Sequence, residues 1–192
     1  NGVVQSCPSL LLEPASTNLI TYSEDLSQWT KSGLSVVSDA TISPDGSLNA
    51  DKLVEDTNTA LRYCLRTFSV TSGVTYTYSI FAKYNGRLLQ LSSSTGFPSS
   101  HINYDLQNGT LVIGSGAATG TIEELTNGYY RCTYTDVANA TSTGGLIIPL
   151  LSNSLSATKN ISYTGNGLSG IFMWGGQVEE QSYATSYIPT NG

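Results

Sequence analysis

The feature that most constrains the fold is a recurrence of turn-forming pairs between short runs of β-branched and aromatic residues. Asn108-Gly109 and Asn127-Gly128 each separate two such runs, and Ser43-Pro44-Asp45-Gly46 is a further turn. Proline presets φ, and glycine or asparagine takes the positive φ that a tight hairpin demands. Between the turns, apolar residues alternate with a period of two, and no stretch keeps a helical period for more than a turn or two. The pattern predicts an all-β chain, folded as a two-sheet antiparallel β-sandwich of jelly-roll type.

Strands are expected over residues 17–22, 34–37, 61–70, 76–84, 88–92, 102–106, 110–113, 121–125, 129–137, 146–151 and 170–180, with loops at 93–100 and 114–120. In the last of these, Ile171, Phe172, Met173 and Trp174 read as a buried run. Gly175-Gly176 then weakens the pairing or admits another chain segment at close range. Tyr183, Tyr187 and Ile188 give the tail apolar surface that should dock back on the domain, and Pro189 ends any ladder. Residues 1–9 read as a leader broken by Pro8, and residues 10–192 as one domain without repeat or linker. Asn1 stands where an initiator Met would be, as in a processed or excised piece of a longer protein.

Of the 192 residues only 11% are charged, and the net charge is −6. No basic stripe exists to neutralise phosphates, so nucleic acid is excluded as a partner. No apolar run reaches membrane-spanning length, so no membrane insertion is expected. Low charge with abundant Ser, Thr, Gly, Asn and Tyr is the composition of extracellular β-sandwiches, whose turns use small polar residues. The three cysteines, Cys7, Cys64 and Cys132, form no metal pattern with the single histidine, His101. Cys64 and Cys132 read either as buried thiols or as one bridge with Cys7 left free.

Catalysis finds no support in the residue pattern. Glu123 with Glu124, and Glu179 with Glu180, are adjacent on strands and point to opposite faces, so neither pair can act as a glycosidase dyad. No nucleophile elbow surrounds a serine, and the glycines lie in hairpin turns, not in a phosphate-cradling loop. A non-enzymatic role is expected.

Several motifs, taken in order, carry a resemblance. They are Leu12-Glu13-Pro14-Ala15-Ser16-Thr17-Asn18-Leu19 with Tyr22-Ser23-Glu24-Asp25-Leu26 and Trp29, then Ser43-Pro44-Asp45-Gly46 with Ala50-Asp51-Lys52-Leu53. Tyr76-Thr77-Tyr78-Ser79-Ile80-Phe81-Ala82-Lys83 and Gly128-Tyr129-Tyr130-Arg131 follow. The series ends with Gly175-Gly176-Gln177-Val178-Glu179-Glu180 and Tyr183-Ala184-Thr185-Ser186-Tyr187-Ile188-Pro189. Over roughly residues 10–190 the chain resembles jelly-roll carbohydrate-binding-like domains of phage and prophage tail or fibre proteins. The resemblance implies a virion or extracellular location and a polysaccharide or cell-surface glycan as partner. Contact with other subunits or domains of a longer virion protein is also implied. The alternative is a purely structural or assembly domain without a sugar ligand, and a third reading is an accessory domain of a polysaccharide-degrading enzyme.

The resemblance also implies one structural calcium between the opening turn and the last strand. The matching positions are Glu24 or Asp25 and Glu179, whose carboxylates suit a hard cation. The chain departs from those modules at Trp174-Gly175, where they carry an acidic pair. The alternative is a solvated acidic surface. For sugar, alternation places Phe81, Lys83, His101, Asn103, Arg131 and Gln177 opposite the core residues Ile80, Ile102, Tyr104, Cys132 and Val178. Six such residues on one exposed face would supply apolar contact and charge-assisted hydrogen bonds to a glycan. Trp29 is either an exposed sugar platform or a core anchor.

Overall fold

The structure, a computed structural model, describes residues 13–192. The leader expected over residues 1–9, residues 10–12 and Cys7 lie outside the described residues. In chain order the strands are β1 (Thr30–Ser32), β2 (Leu34–Ile42), β3 (Leu48–Glu55), β4 (Thr59–Ala60), β5 (Tyr63–Leu65), β6 (Phe68–Val70), β7 (Thr75–Asn85) and β8 (Leu88–Ser93). They continue as β9 (His101–Asp105), β10 (Thr110–Ser115), β11 (Thr119–Glu124), β12 (Tyr129–Val137), β13 (Ser142–Gly145), β14 (Ile147–Ser152), β15 (Tyr163–Thr164) and β16 (Gly170–Glu179).

Two six-stranded antiparallel sheets make the sandwich. The first runs β1-β5-β14-β8-β9-β10 and the second β11-β12-β7-β16-β3-β2. The fold is therefore all-β, a two-sheet jelly-roll sandwich. Its core is the alternation read from the sequence: Tyr76, Tyr78, Ile80 and Ala82 of β7 meet Leu89, Leu91, Ile102 and Tyr104 of the first sheet. The Tyr104 hydroxyl donates across the layers to the Thr133 carbonyl, which gives a buried polar tip its partner.

The turn chemistry holds where the sequence placed it. Asn127 and Gly128 take φ of 62° and 75° between β11 and β12, the left-handed region that favours these two residue types. At Gly175-Gly176 the β16 ladder shifts register, and Gly175 sits at φ 65°. A Cβ on Gly176 would lie 2.7 Å from the Trp29 ring, and one on Gly175 would lie 2.8 Å from Phe81. The glycines thus both bulge the strand and admit neighbouring segments at close range.

Three expectations need correction. Residues 17–22 form no named strand; they run beside β16, with the Leu19 N–H donating to the Val178 carbonyl at 2.8 Å. Residues 61–70 split into β5 and β6, which belong to different sheets. Between them Arg66 donates to the Gln28 carbonyl at 3.1 Å. The loop at 114–120 is shorter than expected, since β10 runs to Ser115 and β11 begins at Thr119.

Cys64 and Cys132 are free, buried thiols in separate sheets. Burial pushes the Cys64 thiol up to about 12 and that of Cys132 higher still, so neither forms a reactive thiolate at neutral pH. No helix of the described residues is long and apolar enough to cross a membrane.

Candidate functional site

The outer face of the second sheet is built in rows across its strands, because antiparallel register places directly opposed side chains on the same face. One row is Thr119, Thr135, Thr77 and Glu179, and the next is Thr121, Thr133, Ser79 and Gln177. A third is Glu123, Arg131, Phe81 and Trp174. A fourth crosses five strands as Tyr129, Lys83, Phe172, Lys52 and Val37. One half of the face is therefore hydroxyl and amide, the other aromatic and cationic. The bulge at Gly175-Gly176 is what keeps Gln177 on the same face as Trp174, since it adds a residue to the count.

The chain's own tail covers the β7 and β16 members of the first three rows. Tyr187 packs against Trp174 at a 51° tilt with ring centroids 4.5 Å apart and meets Phe81 edge-on at 5.9 Å. Arg131 Nη2 donates to the Thr185 carbonyl at 2.6 Å and to Ser79 Oγ at 3.1 Å, with the guanidinium 5.3 Å from the Phe81 ring centroid. Thr77 donates to the Gln181 carbonyl at 2.8 Å, and Gln177 accepts from the Ile188 N–H at 2.7 Å. Phe81 and Gln177 are consequently buried. They do not form the open sugar face that alternation predicted, because alternation reports which side of a sheet a residue leaves but not what lies over it. Burial also holds the Arg131 pKa below the ordinary arginine value, against the pull of Glu179, Glu123 and Glu13.

What remains open beside the tail is a groove of about 270 Å³. Arg131 and the hydroxyls of Thr119, Thr121, Thr133 and Thr135 lie along it, and Glu123 and Tyr183 line it too. Tyr183 is 48% exposed, and the buried Nε of Arg131 has no hydrogen-bond partner. Thr77 and Thr135 share a 2.8 Å hydrogen bond, and Thr121 and Thr133 another of 2.8 Å. The groove therefore offers paired hydroxyls, a cation and one aromatic face. It holds a single carboxylate, Glu123, where glycoside hydrolysis uses two facing each other.

His101 and Asn103 lie on the other sheet. β9 pairs with β8 and β10, not with β7 or β12, so the six expected residues do not converge on one face. Parity within a strand does not say which sheet the strand joins. Both side chains point outward but are buried under the 153–161 loop. Asn103 Nδ2 donates to the Ala157 carbonyl at 2.8 Å, and Gln90 donates to Asn103 at 2.7 Å. His101 Nε2 donates to the Ala157 carbonyl at 3.2 Å while Nδ1 accepts from Ser115 Oγ at 2.9 Å. Burial lowers its pKa and keeps the ring neutral near pH 7. These groups clamp a loop.

Trp29 is a core residue, 2% exposed, with its indole N–H donating to the Tyr22 carbonyl at 2.8 Å. That geometry removes it as a platform. Glu24 and Asp25 line a recess of about 490 Å³ with Asp39 and Asp51, and Glu179 is not among its lining residues. The Glu24 carboxylate accepts from Tyr187 Oη at 3.1 Å and Asn49 Nδ2 at 3.0 Å. Glu179 is fully buried and accepts from Ser16 Oγ at 2.6 Å, Gln177 Nε2 at 2.7 Å and both the N–H and hydroxyl of Thr185. With four donors its lone pairs are spoken for, and among the described residues no three Asp, Glu, His or Cys side chains group to hold a metal. The residues present do not fit a calcium bridging the opening turn and the last strand.

The fourth row is less covered: Tyr129 is buried, Lys83, Phe172 and Lys52 are half-buried and Val37 is exposed. Lys83, an expected site residue, lies there beside Phe172 and Lys52, which sequence reasoning missed. The signal for Phe172 was present, since it alternates with Ile171 and Met173 of the core. Lys52 stands between the buried Asp51 and Leu53, and Tyr183 was read only as part of the docking tail.

No protein-family model and no curated protein matches the chain. Among solved structures it is similar to the crystallographic structure of the Clostridium thermocellum N-terminal endo-1,4-beta-D-xylanase 10B, CBM22-1-GH10 modules complexed with xylohexaose. That likeness has 13% identity and a TM-score of 0.46, over 89% of this chain and 30% of the other.

Proposed function

We propose that the chain is a non-catalytic carbohydrate-binding domain that attaches to a surface or extracellular polysaccharide through the groove beside its tail. The observation that carries this reading is the groove itself. Tyr183 presents an exposed ring beside Arg131 and four threonines, which is apolar contact next to oriented hydrogen-bonding groups, as a pyranose requires. The single carboxylate supports binding without hydrolysis. The sequence resemblance and the low charge support a setting in a phage or prophage structural protein, on the virion or outside the cell.

The test is a glycan array followed by affinity electrophoresis of the intact chain and its Tyr183→Ala variant. Tyr183 is half exposed, so the variant should keep its stability within about 0.5 kcal/mol and lose binding by about tenfold. Array binding that Tyr183→Ala leaves unchanged would move the site elsewhere, and a blank array would remove the reading.

One observation favours the second reading, an assembly domain without a sugar ligand. Val37, Ile42 and Leu48 are 49%, 50% and 64% exposed around the β2–β3 turn, at the edge of the second sheet. Apolar side chains at an unpaired edge are protein-contact material. Sedimentation equilibrium of the wild type against Leu48→Lys tests it: self-association abolished by the charge supports assembly, and a monomer in both cases speaks against self-assembly.

A further inference from the structure

We propose that the less covered half of the second sheet is a second binding surface, for an extended anionic polysaccharide lying along Lys83, Phe172, Lys52 and Val37. The inference starts from charge. In a chain of net charge −6, this row carries two lysines and no carboxylate, and its outer neighbours Gly170, Val54 and Ser35 carry none either. Among the described residues, the ion pairs are Arg62 with Asp56 and Arg87 with Glu55, so neither lysine is neutralised by a carboxylate. Lys31 and Lys159, by contrast, donate to the Ser27 carbonyl and Ser99 Oγ.

Geometry then selects the shape of the anion. Lys83 and Lys52 sit directly either side of Phe172 on β16. Their backbones are therefore about 9.5 Å apart, two strand spacings, which is comparable to two linked sugar rings. Phe172 is half-buried, its ring held against the cluster of Phe81, Tyr129 and Trp174, and it supplies apolar surface between two cations. The lysines are pre-positioned. Lys83 Nζ lies 5.6 Å from the Tyr129 ring centroid, and Lys52 Nζ lies 6.0 Å from that of Phe172. Their stems pack along apolar surface and their heads stay wet, which lowers the entropy lost on binding.

A sulfated or uronic-acid polymer meets all three demands: negative charges at intervals, apolar ring faces between them, and length across the strands. Duplex nucleic acid meets only the first, and two lysines are too few to hold it at physiological salt. The surface is separate from the Tyr183 groove, and its success or failure is independent of that reading.

The experiment is affinity electrophoresis of the intact chain in gels containing polygalacturonate, dextran sulfate, neutral dextran or duplex DNA, each at two salt concentrations. One or both acidic polysaccharides should retard the wild type, less so at higher salt. Which of them does so identifies carboxylate or sulfate. The Lys52→Ala/Lys83→Ala double variant and Phe172→Ala should each lose at least about tenfold in affinity with little change in melting temperature, while Tyr183→Ala retains it. Three results overturn the proposal: no retardation by either acidic polymer, retardation by dextran or DNA as strong as by them, or a well-folded double lysine variant that binds as the wild type does.

Discussion

The two halves of the second sheet's outer face share strands β12, β7 and β16 and the same alternation, yet they do opposite work. Over Phe81, Trp174, Gln177 and Glu179 the tail lies down and all four are buried. Phe81 and Trp174 form a second small core with Ala50 and Tyr129, against which Tyr187 packs. Lys83, Phe172 and Lys52 stay half-buried, with Phe172 packed against the edge of that core. The difference comes from the tail's reach. Tyr187 inserts against Trp174 and Phe81, after which Ile188 and Thr190 turn to bond Gln177 and Ser23. Polar residues leaving the core are thus no sign of a ligand face by themselves. Here the tail-covered part holds the protein's own chain, and what is left for something else is the groove beside Tyr183 and the side of Lys83, Phe172 and Lys52.

If that contrast is right, removing residues 181–192 should produce the largest effect. It strips Tyr187 from two aromatic rings and leaves Glu179 and Gln177 without several donors and acceptors. The expected loss is about 4 kcal/mol or more by chemical denaturation, and a smaller loss would mean that the tail is only a cover.

Next comes Glu55, which anchors the loop bordering the less covered half. It accepts from Arg87 Nε at 2.7 Å, Tyr163 Oη at 2.9 Å and the Asn166 N–H at 2.8 Å. Burial raises its pKa, but those donors together outweigh burial and hold the carboxyl below the ordinary glutamate value. A lowered folded pKa gives stability that is complete above the unfolded value and is lost as pH falls through the folded one. Melting temperature should therefore drop in that acid window, and Glu55→Gln should flatten the dependence while costing about 3 kcal/mol at neutral pH. An unchanged acid profile in the variant would show that other groups dominate.

Arg131→Ala separates the halves more finely. The residue was expected on an exposed face; its bonds to Thr185 and Ser79 instead predict a loss of about 2 kcal/mol, read from the denaturation midpoint. A change below about 0.5 kcal/mol would place the tail's hold elsewhere. Smallest should be Phe172→Ala on the less covered half, under about 1.5 kcal/mol because the ring is already half in water. A loss as large as that of a buried aromatic, about 3–5 kcal/mol, would make the less covered half a structural surface and undo the contrast.

The sequence made one kind of information plain and withheld another. Period-two alternation in β7 correctly sent Tyr76, Tyr78, Ile80 and Ala82 inward, and Asn127-Gly128 placed its hairpin. These are local consequences of backbone geometry. What failed was long-range. His101 and Asn103 have the right parity but sit in the other sheet, a matter of which strands pair. Phe81 and Trp29 are aromatic residues with equally good reasons to be exposed or covered. Which applies depends on a tail more than 90 residues from Phe81 in one case and on Gly176 in the other. Glu179 was read as a cation ligand because its carboxylate was visible, whereas the donors that use it up come from Ser16 and Thr185.

The way the two ends of the described chain lie together has a mechanical consequence. Asn18 bonds the carbonyls of Gly176 and Ile188, Glu13 accepts from the Ser186 N–H, and Ser23 pairs with Thr190. Residues 13, 18 and 23 thus meet residues 186, 188 and 190 in the same order, so the two segments run parallel. Tension applied between residues 13 and 192 pulls such neighbours past one another along their length. Their hydrogen bonds are then loaded together in shear, whereas an antiparallel arrangement would open them one at a time like a zip. Rupture must break the set at once before either sheet feels the load, which makes this seam the element that resists stretching.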